Sequence, residues 1–274
     1  MEGPYRNILV SRDADLGVVT MNRPERRNAL SEAHLLELTD SLRSLAERED
    51  VRAIVLAAAG PVFSSGHDFA DMAERGLDGM RKLFAVCEDL MLTIQRVPQP
   101  VVAQVQGIAT AAGCQLVATC DLAVAAEGAS FATPGGKGAW FCTTPMVAVS
   151  RAVGHKRALE LLFTGDPIDA QTALAWGLVN RVVPAGSLAA ETARLARAAS
   201  RGSRESKAIG KRAYYDTIDL DLSAAYAHAS EVMAKSSMRD EARQAIRVFL
   251  ERRRHPSSSI DGARTVPANP RFRR

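Results

Sequence analysis

Short runs of aliphatic and β-branched residues alternate along the chain with longer stretches whose apolar positions recur every three or four residues. Asn7-Ile8-Leu9-Val10 and Val18-Val19-Thr20-Met21 alternate around Asp13-Ala14-Asp15, which predicts a hairpin over 5–21,. Ser31 then precedes Leu35, Leu38, Leu42 and Leu45 at helical spacing, as a cap precedes an amphipathic helix,. A strand is expected over 51–57, and a helix over 78–97 that Pro98-Gln99-Pro100 ends,. Strands over 101–105 and 122–125 flank a short helix. A helix around 157–163 follows, then one over 170–176 capped by Asp169 and closed by Gly177, and a strand over 178–183,. From about residue 187 the pattern is helical throughout, ending in 242–254. Strands and helices alternating at this spacing argue for an α/β fold, and no repeat is visible in the sequence.

Composition narrows the class. At 274 residues, 47% hydrophobic and 24% charged, the chain has the make-up of a soluble globular protein with a sizeable core,. It has no apolar run near 20 residues to cross a membrane, and its first residues carry no apolar signal-peptide stretch, so a cytoplasmic protein is expected,. Cys87, Cys114, Cys120 and Cys142 form no C-x-x-C pair and the five histidines show no ligand spacing, so no metal site is expected,. The net charge of +4 owes much to Arg252-Arg253-Arg254 and Arg271-Phe272-Arg273-Arg274, which read as a solvated face or tail,. Residues 256–274 read as a disordered tail. Without aromatic interleaving, nucleic acid is a minor option as a partner.

The candidate chemistry lies in two small-residue loops, Phe63-Ser64-Ser65-Gly66-His67-Asp68 and Ala109-Thr110-Ala111-Ala112-Gly113-Cys114-Gln115, each following a β-branched strand. Small residues let backbone approach a ligand, and two such loops can aim two N–H groups at one developing oxyanion. A third irregular segment, Thr133-Pro134-Gly135-Gly136-Lys137-Gly138, reads as a lid or a site wall,.

These loops stand in order with Asn22-Arg23-Pro24, Arg27-Asn28-Ala29-Leu30, Cys120-Asp121-Leu122-Ala123, Leu162-Phe163-Thr164-Gly165 and Phe249-Leu250-Glu251-Arg252-Arg253. In that order and spacing the chain resembles the enoyl-CoA hydratase/isomerase family, the crotonase superfamily. The resemblance implies a crotonase (ClpP-like) spiral of ββα units over 1–200, holding an oxyanion hole and a CoA site. It further implies C-terminal helices over 201–255 that build homotrimers, often paired into hexamers. The oxyanion donors would be the backbone N–H groups of His67 and Ala112, with Gly66 and Gly113 permitting the approach. CoA would contact Arg27, Ala29 and Leu30, with Asp68, Phe249 and Arg253 as further contacts, and would enter only as part of an acyl-CoA substrate, with no separate cofactor.

The sequence departs from the family where hydratases carry two catalytic glutamates: those positions are Gln115 and Gly135. A glutamine supplies no general base and a glycine supplies no side chain, so the two-glutamate hydration mechanism is not expected. His67 could replace them, with its near-neutral pKa, or could contribute its N–H alone. Asp68 reads as a turn residue, and Cys142 as a nucleophile or as a buried inert thiol. Among relatives, the chain is similar to hydratase domain-containing members that lack the glutamate pair, which share Phe131-Ala132-Thr133-Pro134-Gly135. It is also similar to methylmalonyl-CoA decarboxylase through Gly66-His67-Asp68 and Thr133-Pro134, although that relative's tyrosine is Phe141 here. The expected activity is an acyl-CoA enzyme of fatty acid metabolism in the lyase class. The alternatives are a decarboxylase, or a silent acyl-CoA-binding or RNA-binding scaffold.

Overall fold

The computed structural model describes residues 5–254. The chain opens with the antiparallel hairpin β1 (Ile8–Asp13) and β2 (Leu16–Met21), then α1 (Glu32–Ala46), whose cap Ser31 accepts from the His34 N–H. Three ββα turns follow. The first is β3 (Ala53–Ala58) and β4 (Val62–Ser64), with α2 (Phe69–Met72) and α3 (Leu77–Arg96). The second is β5 (Val101–Val105), β6 (Ile108–Thr110) and α4 (Ala112–Thr119), and the third is β7 (Leu122–Ala126), β8 (Ser130–Ala132) and α5 (Thr143–Val153). After these come α6 (His155–Thr164), β9 (Ile168–Asp169), α7 (Ala170–Trp176) and β10 (Arg181–Val183). The last helices are α8 (Leu188–Ala199), α9 (Arg204–Thr217), α10 (Leu222–Ser237) and α11 (Asp240–Arg254).

In each turn of the spiral the first strand joins one sheet and the second strand joins another. The six-stranded sheet runs β1-β2-β3-β5-β7-β10, parallel beyond the hairpin, and the four-stranded sheet runs β4-β6-β8-β9. Both faces of the large sheet are covered. One carries the main core with Leu35, Leu38, Leu56, Leu83 and Leu116, and the other packs Val55, Val102 and Val124 against Leu188 and Leu195 of α8. That double burial is why β3 reads as a continuous apolar run rather than an alternating one.

The small sheet is what positions the site. β4, β6 and β8 are parallel neighbours, with Ser64 opposite Ala109 and Thr110 opposite Ala132. The segments that leave them, starting at Ser65, Ala111 and Thr133, therefore emerge side by side from the C-terminal ends of these strands. None of these strands was expected from the sequence, because two or three residues are too few for alternation to show. The strand expected over 178–183 is shorter. Leu178 instead donates to the Ala173 carbonyl and Asn180 bonds Ala123 in both directions, leaving only Arg181–Val183 as β10.

The chain divides into two compact units, 1–225 and 226–274. In the first, Lys211 of α9 donates to the Ile94 and Gln99 carbonyls at 2.8 and 2.9 Å and to Asp121 at 2.6 Å, fastening α9 to the start of β5. No helix among the described residues is long and apolar enough to cross a membrane. The expected tail over 256–274 lies outside the described residues.

Candidate active site

Two turns with unusual backbone bring the loops around His67 and Ala112 into contact. Gly66 has φ +89°, and a Cβ there would lie 2.9 Å from the Ala111 Cβ and 3.3 Å from the Ala112 nitrogen, so the two loops touch where only hydrogen fits,. The bridge between Leu30 and His67 uses the neighbouring groups: Leu30 N–H donates to the Gly66 carbonyl at 2.8 Å, and Asp68 N–H to the Leu30 carbonyl at 3.2 Å. In such a parallel bridge the N–H of His67 itself points away from Leu30. Ala112 is the first residue of α4, so its N–H has no intrahelical acceptor and carries the positive end of the helix dipole,. Ala111, at φ +50° and ψ −120°, holds this turn in a conformation that costs a non-glycine residue about 1–3 kcal/mol,. Its own N–H is fixed to the Ala132 carbonyl at 2.9 Å. A Cβ at Gly113 would sit 2.5 Å from the Ser64 carbonyl, so that glycine allows α4 to start against the first loop.

The segment from Arg23 to Ser31 is latched to the first loop. Arg23 pairs with Asp68 at 3.1 Å, with both side chains mostly buried, and donates to the Ala29 carbonyl at 2.8 Å. Asp68 also caps α2 by accepting from the Ala70 N–H. Asn28, fully buried at φ +51°, donates to the Ala59 and Val62 carbonyls at 2.9 and 2.8 Å, and its carbonyl accepts from Ser64 Oγ at 2.9 Å. The carbonyls of Arg27, Ala29 and Leu30 each accept a bond from within the protein, and only Arg27 of the three has an exposed side chain.

The remaining candidates act, where they act, through side chains. Gln115 is 6% exposed with Oε1 unpaired, and Thr133 is fully buried with Oγ unpaired. A Cβ at Gly135 would meet the Trp140 carbonyl at 2.2 Å and Cys142 Sγ at 2.9 Å, so the space for a side chain is already filled by this chain's own loop. Both ring nitrogens of His67 are buried and unpaired, and the ring meets Phe84 edge-on at 5.4 Å. Burial pushes the His67 imidazole below its ordinary 6.5, toward the neutral form, while the Leu30 carbonyl, which acts the other way, does not reach hydrogen-bond geometry with it,. Burial raises the Cys142 thiol and raises Cys114 to about 12, which keeps both protonated and takes Cys142 out of consideration as a nucleophile,.

The structure thus brings His67, Ala112, Gly66, Gly113, Gln115 and Gly135 beyond the C-terminal ends of β4, β6 and β8, with Asp68 and the Arg27–Leu30 backbone bonded to the first loop. Phe249 lies on α11 in the second unit with its ring exposed. The Arg253 side chain lies outside the described residues. Sequence reasoning missed Ala111, whose strain has no sequence signal, and Thr133 as an unpaired hydroxyl. It quoted Arg23 without the role its position reveals.

The family model for enoyl-CoA hydratase/isomerase matches residues 11–258. A mouse relative, enoyl-CoA hydratase domain-containing protein 3, mitochondrial, is 46% identical over 237 residues, covering 86% of this chain and 79% of its own. The crystal structure of an enoyl-CoA hydratase from Mycobacterium smegmatis superposes with a TM-score of 0.87 at 47% identity, covering 90% of this chain and 97% of that one. The human domain-containing protein 3 structure gives 0.86 at 42% identity, covering 90% and 98%. The expectation of a cytoplasmic protein is corrected by these relatives, since the mouse, rat and human proteins are all named as mitochondrial. The apolar-leader criterion behind that expectation addresses secretion alone and does not bear on mitochondrial addresses, which are amphipathic and arginine-rich.

Proposed function

The chain belongs to the enoyl-CoA hydratase/isomerase family, and we propose that within it the protein is an acyl-CoA enzyme that stabilises a thioester enolate without the paired glutamates of hydratases. The observation that supports this reading is the contact of the Gly66 and Ala111–Ala112 turns, beside which the His67 N–H faces away from Leu30 and the Ala112 N–H has no intrahelical acceptor,. A thioester carbonyl accepting both gains negative charge as its α-proton leaves, and each preorganised donor is worth about 3–4 kcal/mol in the transition state. The α4 N-terminus adds its dipole. The proton goes to a group other than a carboxylate. The neutral imidazole of His67 is the available acceptor, buried and without a hydrogen-bond partner. Hydration is disfavoured, because Gln115 cannot take a proton from water and the Trp140 carbonyl occupies the space beside Gly135,. A trimer or hexamer belongs to the same proposal and is read by light scattering.

Deuterium uptake at the α-carbon of a saturated acyl-CoA in heavy water tests enolate formation directly. Uptake well above the buffer rate, declining only below pH 6.5, is expected, with crotonyl-CoA hydration slow by comparison. Absence of uptake with bound acyl-CoA would overturn the reading. A second reading, decarboxylation of a malonyl-type thioester, is favoured by the uncharged Gln115 amide, which would not repel a substrate carboxylate. There the C–C bond breaks, carbon dioxide leaves, and its electron pair forms the same enolate. Release of carbon dioxide from methylmalonyl-CoA distinguishes it.

A further inference from the structure

Among the described residues the His67 imidazole has no hydrogen-bond partner, and both of its ring nitrogens are buried. A histidine that moves a proton is ordinarily aimed by a carboxylate or carbonyl bonded to its second nitrogen. The groups near this ring that could do so are engaged elsewhere. Asp71, whose charge reaches the imidazole, accepts from the Glu32 N–H at 2.8 Å and from Arg75 at 2.9 Å. Asp68 is held by Arg23 and the Ala70 N–H, and the Leu30 carbonyl by the Asp68 N–H.

What does meet the ring is aromatic. Phe84 of α3 stands edge-on to it, with centroids 5.4 Å apart and planes at 85°, and Trp140 meets Phe84 at 5.9 Å and 62°. The three rings form a row from the first loop to the surface, where Trp140 is 47% exposed. Both walls of the row are fixed. Leu83, Cys87 and Leu90 make the buried stripe of α3, and Phe84 lies one residue round from Leu83, at the stripe's edge,. The loop that carries Trp140 is pinned to α6, since a Cβ at Gly136 would meet the Leu162 carbonyl at 2.3 Å, and Lys137 pairs with Asp166 beyond it.

Resting on the reading of His67 as proton acceptor, we propose that Phe84 is the positioning residue for the His67 imidazole, with Trp140 as its backing. Phe84 touches no reacting atom. An edge-to-face contact at this spacing favours one ring orientation over others by a factor of about two to ten. It aims the imidazole as a carboxylate does in a triad, but it leaves both nitrogens free and adds no charge that would favour the protonated form.

Proton NMR of the full chain carrying 13C-labelled histidine tests the contact without substrate, with the His67 signal identified by its loss in His67→Gln. In the wild type the ring current of Phe84 should displace the imidazole C–H protons from free-imidazole positions. Phe84→Leu, which keeps apolar bulk without a ring, should return them, and Phe84→Tyr should keep them displaced. With butanoyl-CoA in heavy water, Phe84→Leu should lower kcat for α-proton exchange about tenfold with KM unchanged, and Phe84→Tyr should recover most of that loss. Trp140→Ala should shift both readouts in the same direction by less, and reads the proposal if Phe84→Leu fails to fold. A His67 signal identical in wild type and Phe84→Leu, a loss that falls on KM, or no recovery in Phe84→Tyr would overturn the positioning role alone. A wild type that exchanges no α-proton would remove the enolate reading, and the positioning role with it.

Discussion

The proposed donor side of the site, Gly66–His67 and Ala111–Gly113, is made of main chain held in place by backbone bonds, a strained turn, the buried Asn28 and the half-buried Arg23. The opposite side, at Gln115 and Gly135, depends on what each side chain is. Main-chain donors survive nearly any substitution that keeps the turn, so the identity of the side chain at 112 matters little. Acid–base groups do not survive in this way, because a single residue change removes the proton acceptor outright. On the proposed reading the protein keeps the electrostatic half of the mechanism without the paired carboxylates, and the reaction follows whichever proton acceptor remains.

That contrast can be broken hardest from the donor side. Ala112→Pro deletes one N–H at the first helical position, where proline is tolerated, and should lower α-proton exchange by about 10²–10³-fold with the fold retained by circular dichroism. From the other side, Gly135→Glu should not restore hydration. Its Cβ meets the Trp140 carbonyl at 2.2 Å. The variant should lose roughly 1–3 kcal/mol of stability in thermal unfolding, and Gln115→Glu/Gly135→Glu should gain no crotonyl-CoA hydration. Arg23→Met leaves Asp68 without its partner behind the His67 turn. A loss of about 2 kcal/mol is expected by guanidinium titration, less than for a fully buried pair because both groups keep some water, with partial recovery in Arg23→Lys.

The last effect appears only on acidification. His34, at the base of the latched segment, is held by burial at about 4, with Nδ1 against the Ala29 carbonyl at 3.1 Å. Between pH 6.5 and about 4 the unfolded chain takes up a proton that the folded chain refuses,. Stability is therefore complete above that window and falls as pH drops through it, by at most about 1.4 kcal/mol per pH unit from this group. His34→Gln should flatten that part of the stability profile.

Much of this was legible in the sequence because it depends on local rules. The hairpin at Asp13–Asp15, the Ser31 and Asp169 caps and the helix stop at Gly177 all appear as read. The two small-residue loops were also visible, since close backbone approach demands glycine or alanine. The small sheet that sets those loops side by side was not, because strands of two or three residues carry no periodicity and their pairing is entirely non-local. Nor could the sequence tell that the 135–142 loop folds back on Gly135. An absent side chain shows only that a carboxylate is missing, whereas the structure shows that its place has been taken.

The claim that two backbone donors polarise a thioester is tested most directly by infrared difference spectroscopy of a 13C=O-labelled acyl-CoA. On binding to the wild type the carbonyl stretch should move to lower frequency than in water, and in Ala112→Pro most of that shift should vanish while the ligand stays bound. A bound thioester whose stretch does not move, or moves equally in both proteins, would contradict the donor pair.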